Sequence, residues 1–332
     1  MTRPRLLPDN FTLTLLGVVL LASLLPASGQ VAVGFGWLTN SAIALLFFLH
    51  GAKLSRESII AGAGHWRLHL LVFSLTFVLF PLLGLALKPL LSPLIGDDLY
   101  MGMLYLCALP ATVQSAIAFT SLARGNIPAA ICSAAASSLF GIFLTPLLVT
   151  LLLDVHGEGG STLDAILKIS VQLLLPFIAG QIARRWIGNW VARNKNWLKF
   201  VDQGSILLVV YGAFSEAVIE GLWQQIPLLD LVGLVVVCCV VLGLVLLASA
   251  GLGKAFGFNQ EDRITILFCG SKKSLATGVP MAQVLFAGST IGVLILPLML
   301  FHQIQLMVCA VLAQRYAKRP ESIPELMAQV DP

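Results

Sequence analysis

The chain has 332 residues, of which 58% are hydrophobic and 11% are charged, and its formal net charge is +4. Soluble domains carry about 25% charged residues, so this composition excludes a water-soluble fold. The basic residues sit in short loops, which indicates membrane topology and no nucleic-acid partner.

Apolar residues fall in blocks of about 20, the length that a helix needs to cross a hydrocarbon core about 30 Å thick. In lipid these blocks must be helices, because a sheet edge would leave backbone groups without hydrogen bonds. The predicted fold class is therefore an all-α polytopic membrane protein with ten transmembrane helices. The predicted spans are 11–30, 35–53, 68–88, 100–121, 127–153, 162–183, 200–222, 228–252, 263–286 and 289–314.

The positions of Lys and Arg agree with this count, since cytoplasmic loops collect basic residues. With the N-terminus inside, the outward loops hold Lys88 alone, and Lys168, Lys272 and Lys273 fall within spans. Both termini are therefore predicted to be cytoplasmic, in a bacterial-type inner membrane. The inward segments hold 16 of the 20 basic residues, namely Arg3, Arg5, Lys53, Arg56, Arg67, Arg124, Arg184, Arg185, Arg193, Lys195, Lys199, Lys254, Arg263, Arg315, Lys318 and Arg319.

The longest inward loop, 184–199, carries three tryptophans among its basic residues. This pattern predicts an interfacial segment, with rings at the headgroup level and cations toward anionic lipid. The polar residues 320–332 are predicted to form a cytoplasmic tail.

Ten spans divide into two sets of five, residues 1–160 and 161–319, and the second set must be inverted relative to the first. Spans four and nine each hold a polar interruption, at 107–115 and 269–274, and a short glycine turn follows each, at 124–126 and 287–289. Inverted repeats with matching helix breaks indicate a transporter whose binding site lies where the breaks meet. The alternative is that Pro110 only kinks a helix whose Ser and Thr side chains bond to backbone.

Lys272 and Lys273 lie about ten residues into span nine, too deep for both to reach the membrane surface easily. A charge at the membrane centre costs about 2.5–3.5 kcal/mol, so it normally has a partner. Adjacent helical residues point about 100° apart, so a regular helix risks turning one lysine toward lipid, and Gly270 would permit an unwound segment instead.

Spans three, four, five, eight and ten contain no Asp or Glu at the depth of these lysines. Backbone carbonyls, the C-terminal ends of half-helices or an anionic substrate are the remaining partners. Our hypothesis is that at least one lysine binds an anion or a coupling proton. A purely structural ammonium is the alternative.

The remaining polar groups complete the candidate site. Glu216 in span seven would line a vestibule or bind a cation, or else is a solvated residue near a helix end. His302, Gln303 and Gln305 give span ten a polar stripe that would face the same cavity. The full set of candidate substrate- and ion-binding residues is Thr112, Gln114, Ser115, Glu216, Gly270, Ser271, Lys272, Lys273 and Ser274, with Pro110 as the helix break.

Catalytic and nucleotide-binding motifs are missing from the sequence. It has no Ser-His-Asp set, no HExxH and no Walker-type loop. We therefore expect neither an enzyme nor ATP-driven transport through an ATPase subunit. No cofactor is expected, apart from Na⁺ or H⁺ as a coupling ion.

Four segments together resemble the bile acid:sodium symporter family, and most closely the branch typified by the seventh human member of solute carrier family 10. They are Phe47-Phe48-Leu49-His50-Gly51-Ala52-Lys53-Leu54, Ala123-Arg124-Gly125-Asn126, Thr145-Pro146-Leu147-Leu148, and Lys273-Ser274-Leu275 with Gly278-Val279-Pro280-Met281. The resemblance implies a core of spans three to five and eight to ten, a panel of spans one, two, six and seven, and a substrate between them. Spans four and nine would cross where they unwind.

In the bile-acid-carrying branch, a Ser-Asn pair and a Glu-x-Gly-x-Gln-Asn stretch bind two sodium ions. Here Ser115-Ala116 matches the pair, while Phe268, Lys272 and Lys273 stand for the Glu, the Gln and the Asn. These departures remove an anionic ligand and add cations, so the sequence supports neither the two-sodium site nor a bile acid substrate.

The leading function is a secondary active transporter, sodium- or proton-coupled, that moves a small organic solute by alternating access, and we expect this solute to be anionic. A non-transporting membrane regulator of ion (calcium) homeostasis is the alternative.

Overall fold

The computed structural model describes residues 10–53, 64–153, 162–219, 221–286 and 291–319, and these ranges contain helices and no strand. A single turn, Leu222–Gln225, lies between the eighth and ninth helices. The helices are α1 Asn10–Leu24, α2 Gly29–Lys53, α3 Trp66–Ala86, α4 Lys88–Ala108 with a kink at Gly96, α5 Val113–Leu122, α6 Ile127–Leu153, α7 Thr162–Arg193, α8 Lys195–Ile219, α9 Leu228–Ala255, α10 Gln260–Gly270, α11 Leu275–Leu285 and α12 Ile291–Ala317.

Five of the described helices, α2, α3, α6, α9 and α12, are long and apolar enough to cross a membrane alone. The pair α4 and α5, bent by 65°, makes a sixth if it is one span. The protein is therefore a polytopic membrane protein, and the count of ten spans stays a prediction. Among the other predicted spans, α1 has only 15 residues, and a break divides α10 from α11.

Helix α3 contains a π-helical turn at Leu75–Leu79. The Phe80 N–H donates to the Leu75 carbonyl, five residues back, and so bypasses the Thr76 carbonyl that an α-helix would use. Pro81 follows and has no N–H to donate. The turn thus leaves the Thr76 carbonyl free to accept a bond from elsewhere.

The helices pack in two groups. Helices α1, α2, α7 and α8, here called the panel group, contact one another, with α2 against α7 as the most extensive pair. The remaining helices form the core group, in which α4 packs on α12 and α9 packs on α10. The inverted repeat and its boundaries, 1–160 and 161–319, stay predictions.

The two groups approach closely where α8 meets α12. A Cβ added to Gly292 would lie 2.5 Å from the Ala217 Cβ and 3.2 Å from the Ala213 carbonyl oxygen. Only glycine permits this approach. Movement of the core group against the panel group would have to open this contact.

The predicted inward loop 184–199 is instead mostly helical. Helix α7 continues to Arg193 and α8 begins at Lys195. Trp186, Trp190 and Trp197 remain exposed, as an interfacial position requires. The second glycine turn, 287–289, and the tail, 320–332, lie outside the described residues.

Candidate transport site

The two predicted helix breaks are present and touch each other. Helix α4 ends at Ala108 and α5 begins at Val113, while α10 ends at Gly270 and α11 begins at Leu275. The Ser274 N–H donates to the Pro110 carbonyl at 3.0 Å, which joins one unwound segment to the other. We call this contact the crossing.

Helix α6 satisfies the polar backbone of the first break. The Ala111 N–H donates to the Ser137 Oγ, and the Thr145 Oγ1 donates to the Ala108 carbonyl, both at 2.9 Å. Between these residues Gly141 accommodates the Pro110 ring, because a Cβ there would lie 2.7 Å from the Pro110 Cβ. The break is thus packed against α6 and hydrogen-bonded to it. It is an unwound segment and not only a helix kinked by Pro110.

Gln305 of α12 satisfies the second break. Its Oε1 accepts from the Lys273 N–H at 2.9 Å, and its Nε2 donates to the Lys273 carbonyl at 2.8 Å. Ser274 then caps α11 by accepting the Thr277 N–H at 3.2 Å. The predicted polar stripe on span ten therefore does reach the break, through Gln305.

Replacing Gln305 with Leu should lower the free energy of unfolding by about 2–4 kcal/mol, because the buried Lys273 N–H loses its partner and the Lys273 carbonyl keeps only a longer contact, 3.4 Å, with the His302 Nδ1. The thermal midpoint of the purified protein should fall by roughly 3–6 °C. Gln314→Leu, the same change on a half-buried residue of α12, is the control and should shift it little. Equal midpoints for the two variants would contradict the prediction.

The Lys273 ammonium sits among three backbone carbonyls. Its Nζ donates to Thr76 O at 2.8 Å, Cys107 O at 2.8 Å and Leu109 O at 2.7 Å. The Phe80 ring centroid lies 4.1 Å from the same nitrogen. One carbonyl comes from the π-helical turn and two from the broken end of α4, where the helix dipole is negative.

The Lys272 ammonium has a different environment. It donates to Ser115 O of α5 at 3.0 Å. Ring centroids of Phe119 and Phe268 lie 3.9 Å and 5.2 Å from it, within the range of cation–π attraction. This lysine thus joins the second break to the first turn of α5.

Carbonyl and ring contacts, not carboxylates, hold both lysines. Across the described ranges, the ion pairs join Lys53 to Asp202, Arg319 to Glu261 and His65 to Asp262, and none includes Lys272 or Lys273. No carboxylate of the described chain therefore pairs with either lysine at the crossing.

The structure gathers most of the candidate residues at the crossing. Thr112, Gly270, Ser271, Lys272, Lys273 and Ser274 are all buried there, Ser115 is half-buried and Gln114 is exposed. Glu216 is exposed on α8 of the panel group. Because both lysines are 0% exposed, neither ammonium opens onto a cavity in this conformation.

Gly270 is the last residue of α10, directly before the break. Its φ is not positive, so the break does not depend on its conformational freedom. A Cβ at this position would instead lie 2.6 Å from the Leu75 Cδ1. Gly270 therefore lets α10 approach the π-helical turn of α3.

Sequence reasoning missed Thr76, Ser137, Gly141 and Thr145. The last three recur every four residues along α6, which places them on one helix face, and this spacing was a usable signal. Thr76 gave no signal, since its carbonyl and not its side chain takes part.

Residues 9–318 match the SBF-like CPA transporter family. The chain belongs to that family. This match confirms the resemblance read from the sequence. Like the family, the chain is a transport protein and not an enzyme.

Similar proteins cover almost the whole chain. "Uncharacterized protein PA2026" of Pseudomonas aeruginosa is 69% identical over 329 residues, 99% of each chain. "Putative symporter YfeH" of Escherichia coli K12 is 60% identical over 95% of each chain. "Sodium/bile acid cotransporter 7-B" of Xenopus laevis is 31% identical over 93% of this chain and 91% of its own.

Proposed function

We propose that this protein is a secondary active transporter that carries a small organic anion by alternating access, coupled to a sodium or proton gradient. It would lie in a bacterial-type inner membrane with ten spans, both termini in the cytoplasm. The observation that carries the proposal is the crossing, where two unwound segments meet beside two lysines that no carboxylate pairs in the described chain. Two relatives, one named a symporter and one a cotransporter, support the same class.

The charge at the crossing favours an anion as the solute. Helix α5 begins at the first break, and its N-terminus adds a positive partial charge to that of Lys272. Gln114 and Ser115, in the first turn of α5, are the candidate residues with exposed surface there. We propose that the solute contacts these two side chains while the lysines attract it from within the protein.

Alternating access would move the core group against the panel group. The approach of α8 to α12 at Gly292 is a contact that such a movement would open and close. The crossing lies within the core group, so it would travel as one unit with its hydrogen bonds intact.

Flux into proteoliposomes tests this function. Small carboxylates, sulfonates and organic phosphates that raise the thermal midpoint of the purified protein would be taken as transport candidates, because a ligand stabilises the folded state by mass action. Uptake of at least one should depend on an imposed sodium or proton gradient. Binding without any flux would overturn the proposal and favour a non-transporting regulator.

Gln114→Ala should lower the uptake of such an anion at least about tenfold, the loss expected for one hydrogen bond to a charged group. Because the side chain is exposed, the thermal midpoint should hardly change. Gln30→Ala, which removes an exposed glutamine of α2, is the matched control. Uptake equal to that of the control would place the solute elsewhere.

A further inference from the structure

The three carbonyls around Lys273 form an oxygen cage that would suit a small monovalent cation. Thr76 O is free because the π-helical turn sends the Phe80 N–H to Leu75. Cys107 O is free because Ala111, the residue that would bond to it in a helix, donates to Ser137 instead. Leu109 O belongs to the unwound segment itself. Backbone irregularities on two chain segments therefore aim carbonyl oxygens at one point.

That point is already filled by the protein. The Lys273 Nζ lies 2.7–2.8 Å from all three oxygens, and the side chain is fully buried. A sodium ion about 4 Å from this ammonium would be repelled strongly enough to weaken its binding roughly a thousandfold. The residues at the cage thus do not fit a bound sodium ion beside the lysine.

Lys272 provides an internal comparison. Its ammonium has one carbonyl, Ser115 O, and two aromatic faces. Removing this side chain would leave ring faces and a single carbonyl oxygen. The two adjacent lysines are equally buried, but their removal would expose different groups. Removing the Lys273 side chain would leave an oxygen cage, and removing the Lys272 side chain would leave an aromatic pocket.

We propose that the Lys273 ammonium is a tethered cation that takes the place of a sodium ion at the crossing, so that the protein needs no sodium there. For transport this inference rests on the proposed function, and it excludes a sodium ion bound at the crossing as the coupling ion. For binding it stands alone, because occupancy of the cage can be measured without any solute.

The test is the thermal midpoint of the purified full-length protein in NaCl, KCl, NH₄Cl and choline chloride at equal ionic strength. The wild-type midpoint should differ by less than about 1 °C between Na⁺ and choline. Lys273→Ser empties the cage. The thermal midpoint of this variant should be higher in Na⁺ or NH₄⁺ than in choline by about 3 °C or more, and the increase should saturate with ion concentration. Lys272→Ser is the matched control and should show no such response.

Lys273→Met separates the cage from a general effect of losing the charge. The thioether chain fills the space without supplying a cation, so this variant should not respond to Na⁺ or NH₄⁺. Saturable stabilisation of the wild type by Na⁺ would overturn the proposal. So would a Lys273→Ser variant that folds and responds no more than the Met variant.

If the Ser variant folds in none of the salts, the wild-type titration decides alone. The salt experiment also stays separate from the proposed function. A protein that moves no anion into liposomes, yet gives the expected midpoints, would retain the tethered cation and lose the transport proposal.

Discussion

Gly180→Ala should greatly lower the yield of folded protein. A Cβ at this position would lie 1.9 Å from the Phe48 carbonyl oxygen, whereas carbon and oxygen normally approach no closer than about 3.3 Å. A Cβ added at Gly51 would likewise lie 2.0 Å from the Phe177 carbonyl oxygen. Helices α2 and α7 would therefore have to separate by more than an ångström along the most extensive contact of the panel group.

In a membrane this loss is severe, because helix association depends on close packing and little on the hydrophobic effect. Overpacking against rigid backbone should cost about 3 kcal/mol or more, at the upper end for such changes. We expect most of the monodisperse peak to disappear in gel filtration of detergent-solubilised protein, and the remainder to melt at a lower temperature.

Gly36→Ala on α2 is the matched control. No atom lies within 4 Å of the Cβ that it adds, so the variant should be neutral or slightly more stable, as expected for Ala in a helix. If Gly180→Ala behaved like this control, α2 and α7 would not approach as closely as described, and the panel group would lack its principal contact.

The helix positions were largely predictable because a span in lipid leaves few choices. Each apolar block contains a helix, and both breaks occur where polar residues or proline interrupt the block, at Pro110 and at 271–274. The loop 184–199 was misjudged because hydropathy locates the membrane and not the helix. Helix α7 continues past its apolar part, since its basic residues and tryptophans suit a helix at the interface as well as a loop.

The identity of the site residues was predictable, but their partners were not. Lys272 and Lys273 stand out as charges in an apolar span. Their actual acceptors, such as Thr76 O and Cys107 O, are backbone atoms freed by a π-helical turn and a helix break. Every residue has a carbonyl, so no side-chain pattern marks the few that a fold leaves unpaired.

Lys272→Met should reduce the flux of an organic anion by roughly thirtyfold. If the bound anion lies about 7 Å from the ammonium, an effective dielectric constant of about 20 gives roughly 2 kcal/mol of attraction, which the Met side chain removes. Uptake of an uncharged amide analogue of the same solute should fall much less. This difference separates lost attraction from a damaged fold.

Lys199→Met, which removes an exposed lysine of α8, is the matched control and should leave uptake unchanged. The thermal midpoint of each variant should be measured in the same detergent, so that flux is compared only among folded proteins. Lys272→Met also loses the bond to Ser115 O, and a changed angle between the breaks would lower the uptake of both solutes equally. Wild-type uptake of the anion by this variant would mean that its charge does not act on the solute, and that the lysine serves only to join the two breaks.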